Sequence, residues 1–225
     1  RADREATEGV VLAKTTVDGK FGAMIVLNSE TDFVAKNAEF ISLAEKIIDT
    51  ALISKPEDLE ALKAVKMENS TVAEKVVEFI GIIGEKLELS YYSRIEAPHV
   101  QSYIHPGFRL ASLVGFSKAG LDEQVYKDVA MQVAAMNPVS INKDDVPENI
   151  IAQEIEIGKE QARRDGKPEE MLEKIAQGKL GKFFKESTLL NQDFIKDSKI
   201  TVNQYLQSAD KALTVTAFKR FTLNL

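Results

Sequence analysis

Twice in this chain an apolar hairpin runs directly into an amphipathic helix, and that repetition restricts the fold more than any other feature. In the first instance residues 10–13 read as a strand, Val17-Asp18-Gly19-Lys20 as a tight turn, and residues 21–27 as the partner strand. Glycine tolerates the positive φ such turns require. A helix is expected over residues 31–51, because Phe40, Leu43, Ala44, Ile47, Ile48 and Ala51 recur at helical spacing. Ser29 and Asp32 fit the spacing of a capping box, with Thr31 as another candidate cap. In the second instance residues 100–104 and 109–116 are strands around His105-Pro106-Gly107. Lys118-Ala119-Gly120 turns into a helix over residues 121–136, with Val125, Val129, Ala130, Val133 and Met136 on one face. That helix stops at Asn137-Pro138, where proline disfavours helical backbone in the residue before it. The pattern predicts an α+β fold: two related hairpin-plus-helix subdomains with small antiparallel sheets, the product of a duplication.

Between the two instances the spacing predicts a short helix over residues 56–64, a helix over 71–83 and a strand over 86–95. The strand alternates through Leu87, Leu89, Tyr91 and Ser93. Residues 147–186 differ in character. Ile151, Ile155 and Gly158, then Leu172, Ile175, Ala176 and Lys179, mark two helical stretches around Arg163-Arg164-Asp165-Gly166-Lys167-Pro168. Gly166 suits a helix end and Pro168 a helix start. Helices joined so tightly run antiparallel, and their polar flanks leave a narrow apolar seam, so a protruding coiled-coil hairpin is expected. Residues 212–224, alternating through Leu213, Val215 and Ala217, read as a closing strand on the second hairpin. The expected organisation is a linker over 1–7, one core subdomain over 8–97, a second over 98–146 and 187–225, and an inserted helical hairpin over 147–186.

Composition narrows the function. A net charge of -6 and a pI near 5.2 argue against nucleic acid as the main partner. With no cysteine, disulfides, cysteine-based zinc sites and thiol catalysis are excluded. No apolar run approaches the roughly 18 residues of a membrane span, and no secretory signal opens the sequence. A cytoplasmic location is the plain expectation. No Gly-rich phosphate loop and no Gly-x-Ser-x-Gly elbow is present. His99 and His105, on a strand and the turn after it, are not spaced to share a metal and read as ordinary strand-end histidines. Asp144, Asp145 and Glu148 could in principle assemble an acid–base site, but Asp144-Asp145 before Val146-Pro147 reads more simply as a helix entrance. No catalytic residue, metal site or cofactor is expected.

The segment Asn28-Ser29-Glu30-Thr31-Asp32-Phe33-Val34-Ala35-Lys36-Asn37 leads from the second strand into the first helix. Two readings of Asp32 and Phe33 compete. Phe33 could share the helix face of Phe40 and belong to the core, with Asp32 placed for the helix dipole. Alternatively, since Lys36 and Asn37 interrupt the apolar stripe, the pair forms an exposed tip. An aromatic there supplies area to bury in a partner's pocket and a carboxylate supplies orientation.

The run Thr31-Asp32-Phe33-Val34-Ala35-Lys36-Asn37 closely resembles the Thr-Asp-Phe-Val signature of the bacterial elongation factor Ts family. Glu8-Gly9-Val10-Val11 is similar to that family's entry into its first core strand. Ser102-Tyr103-Ile104-His105 with Gly107 resembles its second-subdomain turn. Pro106, Phe108 and Leu110-Ala111-Ser112 depart from the usual Gly-Gly-Arg-Ile-Gly-Val run. Asp165-Gly166-Lys167-Pro168 and the segment Gly178-Lys179-Leu180-Gly181-Lys182-Phe183 resemble its hairpin tip and return helix. The resemblance implies a guanine-nucleotide exchange factor that binds elongation factor Tu, GDP-bound and nucleotide-free, in translation elongation. Thr31, Asp32, Phe33 and Val34 would press on the partner beside its nucleotide and Mg2+ site, while His105 and Gly107 would hold a second region. The hairpin would extend the contact or mediate self-association. The family ordinarily opens with a small three-helix domain, so residues 1–7 are expected to be the linker from it. Some members also carry a C-terminal helical module, which is not expected here. The rivals are an adaptor or scaffold without exchange activity, and an enzyme built on the scattered carboxylates.

Overall fold

The computed structural model describes residues 4–223. Residues 1–3 of the expected linker and Asn224 of the expected closing strand lie outside the described residues. The fold is α+β and divides into two compact units. One runs to Ala134 and resumes at Val215; the other spans Ala135–Thr214.

In the first unit, β1 (Glu8–Thr15) and β2 (Phe21–Ser29) pair antiparallel, with Glu8 opposite Ser29 and Thr15 opposite Gly22. The strand β5 (Glu88–Glu96) adds to the other edge of β2. A second three-stranded sheet has β7 (Leu110–Phe116) at its centre, flanked by β6 (His99–Ile104) and β10 (Val215–Thr222). The closing strand thus pairs with the second hairpin, as its alternation suggested.

One face of the first sheet presents Val10, Leu12, Phe21, Ala23, Ile25 and Leu27 to α2 (Ala38–Ser54), α3 (Leu59–Ala64) and α4 (Val72–Ile83). The other face presents Val11, Ala13, Met24 and Val26 to Val100, Ala111 and Leu113 of the second sheet. Burial on both sides explains why β2 is apolar almost without alternation, as strands covered on both faces are. Gly22 lets the sheets meet: a Cβ there would lie 2.6 Å from Leu113 Cδ1 and 2.7 Å from Val100 Cγ1. The far side of β7 carries α5 (Glu123–Met136). Ser112 donates to the Ala130 carbonyl at 2.6 Å, and the Tyr126 ring meets Phe116 edge-on at 4.8 Å. His99 stacks on Tyr126 at 3.7 Å, an ordinary packed histidine.

Two expectations need correction. The helix expected over residues 31–51 is two helices, α1 (Asp32–Ala35) and α2. Asn37 has extended backbone, and its side chain accepts from the amides of Glu39 (2.8 Å) and Phe40 (3.3 Å). It therefore begins a new helix rather than continuing the old one. The alternation expected in β5 fails beyond Leu89. Tyr91 stands opposite Val26 and Leu89 opposite Leu27, so Ser90 is an extra, bulged residue. Tyr92, not Tyr91, then joins Leu87 and Leu89 against the helices, and Tyr91 turns to the ring of Phe221 at 4.8 Å. A small hairpin, β3 (Lys66–Met67) with β4 (Ser70–Thr71), precedes α4 and was not expected.

In the second unit, α6 (Glu148–Arg164) and α7 (Leu172–Ser187) form the helical hairpin. Its seam is closest at small residues: Gly158, Ala162 and Ala176 are buried together with Leu172 and Leu180, and a Cβ on Gly158 would lie 3.1 Å from Ala176 Cα. Gly166, at φ 78, turns the chain between the helices. The ion pairs Lys159–Glu173 (2.9 Å) and Arg163–Glu169 (2.9 Å) flank the seam. At the base Ser140 bridges Thr188, followed by β8 (Asp193–Phe194), β9 (Asp197–Thr201) and α8 (Val202–Ala209). Phe194 stacks on Tyr205 at 4.0 Å there.

Candidate protein-interaction site

The turn between β2 and α1 is held from several sides while its tip is bare. Beneath it, Asn28 is buried; its amide donates to the Glu8 carbonyl (3.0 Å) and its oxygen accepts from the Ser90 hydroxyl. Ser29, also buried, donates to the Thr31 carbonyl at 2.9 Å, so the cap of α1 is not Ser29 but Thr31. The Thr31 hydroxyl accepts from the Val34 amide (3.3 Å) and donates to the Glu85 carboxylate (2.8 Å). The same carboxylate accepts from the amides of Glu30 and Thr31, each at 3.1 Å. Glu30 in turn accepts from the Lys86 amide at 2.8 Å.

On this footing the four signature residues divide their work. Val34 packs against the helix-covered core and Ala35 is buried, which pins the inner side of α1. Phe33 is 85% exposed while Phe40 is buried, so the reading that placed Phe33 in the core beside Phe40 is not the arrangement found. Asp32 is exposed beside it, 3.9 Å from Lys36, a pairing too solvated to hold either side chain firmly. The tip thus presents a large aromatic in water beside a loosely paired carboxylate.

His105 and Gly107 occupy the β6–β7 turn. His105 is exposed, and its Nδ1 lies 2.9 Å from the Tyr103 hydroxyl. Gly107 and Phe108 both have positive φ, 99° and 61°, which closes the turn tightly. The Phe108 carbonyl accepts from the Val11 amide of β1 at 2.8 Å. Glu8 touches both regions: its carbonyl receives Asn28 beneath the Asp32–Phe33 tip, and its carboxylate receives Arg109 beside the His105 turn. Sequence reasoning gave no supporting role to Glu8, Glu30, Glu85 or Arg109, charged residues whose partners lie far away in the chain with no local pattern linking them.

The carboxylates weighed as an enzyme site do not converge. Asp145 caps its own turn, accepting from the Asn142 amide at 3.2 Å, while Asp144 and Glu148 are exposed. Among the described residues no group of three or more His, Cys, Asp or Glu side chains could hold a metal ion. No helix among them is long and apolar enough to cross a membrane.

Comparison with known proteins places this geometry. Residues 30–224 match the family described as Elongation factor TS. Elongation factor Ts of Porphyromonas gingivalis is 50% identical over 225 residues, covering 100% of this chain and 81% of the relative. That of Flavobacterium psychrophilum is 46% identical over 224 residues, covering 99% and 81%. That of Azobacteroides pseudotrichonymphae is 43% identical over 225 residues, covering 100% and 81%. With the signature turn, the paired hairpin sheets and a match over nearly its whole length, the chain belongs to the elongation factor Ts family of translation elongation factors.

Proposed function

We propose that this chain binds elongation factor Tu, in its GDP-bound and nucleotide-free forms, and speeds GDP release. The observation that carries the reading is Phe33, 85% exposed at the end of a turn that is otherwise anchored. Phe33 wedges between partner side chains beside the nucleotide and Mg2+ site. Asp32 accepts hydrogen bonds there or caps a helix of the partner. The displacement disturbs Mg2+ coordination and phosphate contacts, so GDP leaves faster. His105 and Gly107 hold a second region of the partner, away from the nucleotide. No covalent chemistry is involved, and the work is done in the cytoplasm. We also propose that residues 8–97 and 98–146 with 187–225 are duplicated subdomains, and that the inserted hairpin over 147–186 extends the contact or joins two copies of the chain.

Release of fluorescent GDP from a bacterial elongation factor Tu, with and without the chain, tests this reading. Acceleration that Asp32→Ala weakens supports exchange at this turn. Binding without acceleration supports an adaptor instead and overturns the exchange reading.

A further inference from the structure

We propose that Glu85 is a positioning residue for nucleotide release: it sets the Asp32–Phe33 tip in its working geometry. The proposal rests on the exchange reading above. Its starting point is that α1 has only four residues. A helix so short does not hold its own shape, since nucleation costs more than one turn returns. Something outside it must fix the tip.

The fold supplies that from the far end of α4. Gly84, in left-handed conformation at φ 85, ends the helix, its amide bonding to the Ile80 carbonyl at 2.9 Å. Leu87 is buried, and Glu85 and Lys86, the two residues between it and Gly84, both bond to the β2–α1 turn. Glu85 Oε1 accepts from the amides of Glu30 and Thr31, and Oε2 accepts from the Thr31 hydroxyl. With its proton committed to Glu85, the Thr31 oxygen turns a lone pair to the Val34 amide and caps α1. Glu30 returns the arrangement by accepting from the Lys86 amide. Two segments remote in sequence thus each offer a carboxylate to the other's backbone. Charge-assisted bonds to backbone donors are stronger than neutral ones. At saturating chain only complexes whose aromatic is correctly aimed release GDP fast, so a tip whose direction is already set gives the higher maximal rate.

The test is the maximal GDP-release rate at saturating chain, and separately the concentration giving half of it, for wild type, Glu85→Ala, Glu85→Gln and Phe33→Leu. Phe33→Leu is chosen to leave measurable acceleration as a background. Glu85→Ala is expected to lower the maximal rate about tenfold, or about 1.4 kcal/mol, with a smaller change in the half-saturating concentration. Glu85→Gln recovers part of this, since its amide oxygen accepts both backbone amides while its NH2 donates to the Thr31 oxygen instead of accepting from it. On the Phe33→Leu background Glu85→Ala costs less than about twofold, because groups acting through one contact are not additive. If Glu85→Ala does not fold, Thr31→Val removes the bridging hydroxyl. It should lower the rate about threefold alone and far less with Phe33→Leu. Full additivity, a Gln variant no better than Ala, or wild-type rates in Glu85→Ala each overturn the proposal while leaving exchange intact. Absence of acceleration by the wild-type chain overturns the exchange reading and this proposal with it.

Discussion

On the proposed reading, replacing Phe33 by alanine should slow exchange while leaving the fold intact. A phenylalanine carries about 200 Å² of surface, and 85% of this one is in water. Docking it fully would remove about 170 Å² from solvent, or about 4 kcal/mol at about 25 cal/mol per Å². That is a ceiling, because ordering the ring and its pocket offsets part of it. A loss of about 2–4 kcal/mol, the range of a true hot spot, would slow exchange by a factor of about 30 to 1000. The same substitution should scarcely affect the fold. The backbone of α1 is held by Thr31, Val34 and Ala35, and an exposed helical site favours alanine slightly. Stopped-flow release of fluorescent GDP at several chain concentrations gives the first quantity, and urea denaturation the second. A variant that exchanges nucleotide like the wild type would refute the reasoning. So would a drop of about 2 kcal/mol or more in unfolding free energy, which would put Phe33 among the core residues.

Other consequences concern stability. Gly22→Ala forces a methyl into Leu113 and Val100 between the two sheets and should cost about 1–3 kcal/mol, read as a lower urea midpoint at unchanged slope. Thr71→Ala removes the capping box with Glu74 at the start of α4 and should cost about 1 kcal/mol, again by urea midpoint. Burial pushes the Tyr92 hydroxyl up from 10.0 to about 12, and it donates to the Pro56 carbonyl at 2.7 Å. Its folded pKa lies above its unfolded one, so the contribution is fully present below pH 10 and is lost as pH rises toward about 12. Tyr92→Phe should therefore be less stable than wild type at pH 7, with the difference shrinking above pH 10 in alkaline urea titrations.

The sequence carried the hairpin-then-helix plan because burial leaves a direct trace in residue type. β2 is apolar on both faces and so reads as a strand whatever covers it, while α2 and α5 show their buried stripes at helical spacing. The tip was only half legible. Lys36 and Asn37 showed that the apolar stripe breaks, but the choice between a core Phe33 and an exposed one turns on the Asn37 cap, a matter of one residue's backbone. Ser90 could not be anticipated, since a bulge is set by what the neighbouring strand offers. Residues 188–211 did contain a usable signal, Thr201 and Gln204 at capping-box spacing before the buried Val202 and Leu206. The supports of the site, Glu85 to Thr31 and Glu8 to Arg109, left no trace because their meaning lies in distances the chain creates only on folding.

Those supports bear on how exchange would be driven. Linkage is reciprocal: a factor that weakens nucleotide binding tenfold is itself weakened tenfold by nucleotide. Each tenfold is about 1.4 kcal/mol, so a shift of several decades needs on the order of 4–7 kcal/mol of differential binding. Phe33 alone, with its ceiling of about 4 kcal/mol, reaches only the bottom of that range. On the proposed reading the remainder would come from Asp32 and the His105 turn, and these would help only if they act on the partner at the same time. Contacts on independently moving loops would each lose freedom separately on binding. Here both turns are fastened to Glu8, one through its carbonyl and the other through its carboxylate. On the proposed reading, the two turns would therefore be presented to the partner together, through β1, rather than on separately ordered loops. Glu8→Gln, which keeps the carbonyl and weakens the Arg109 pair, should then lower exchange while leaving the Phe33 tip in place.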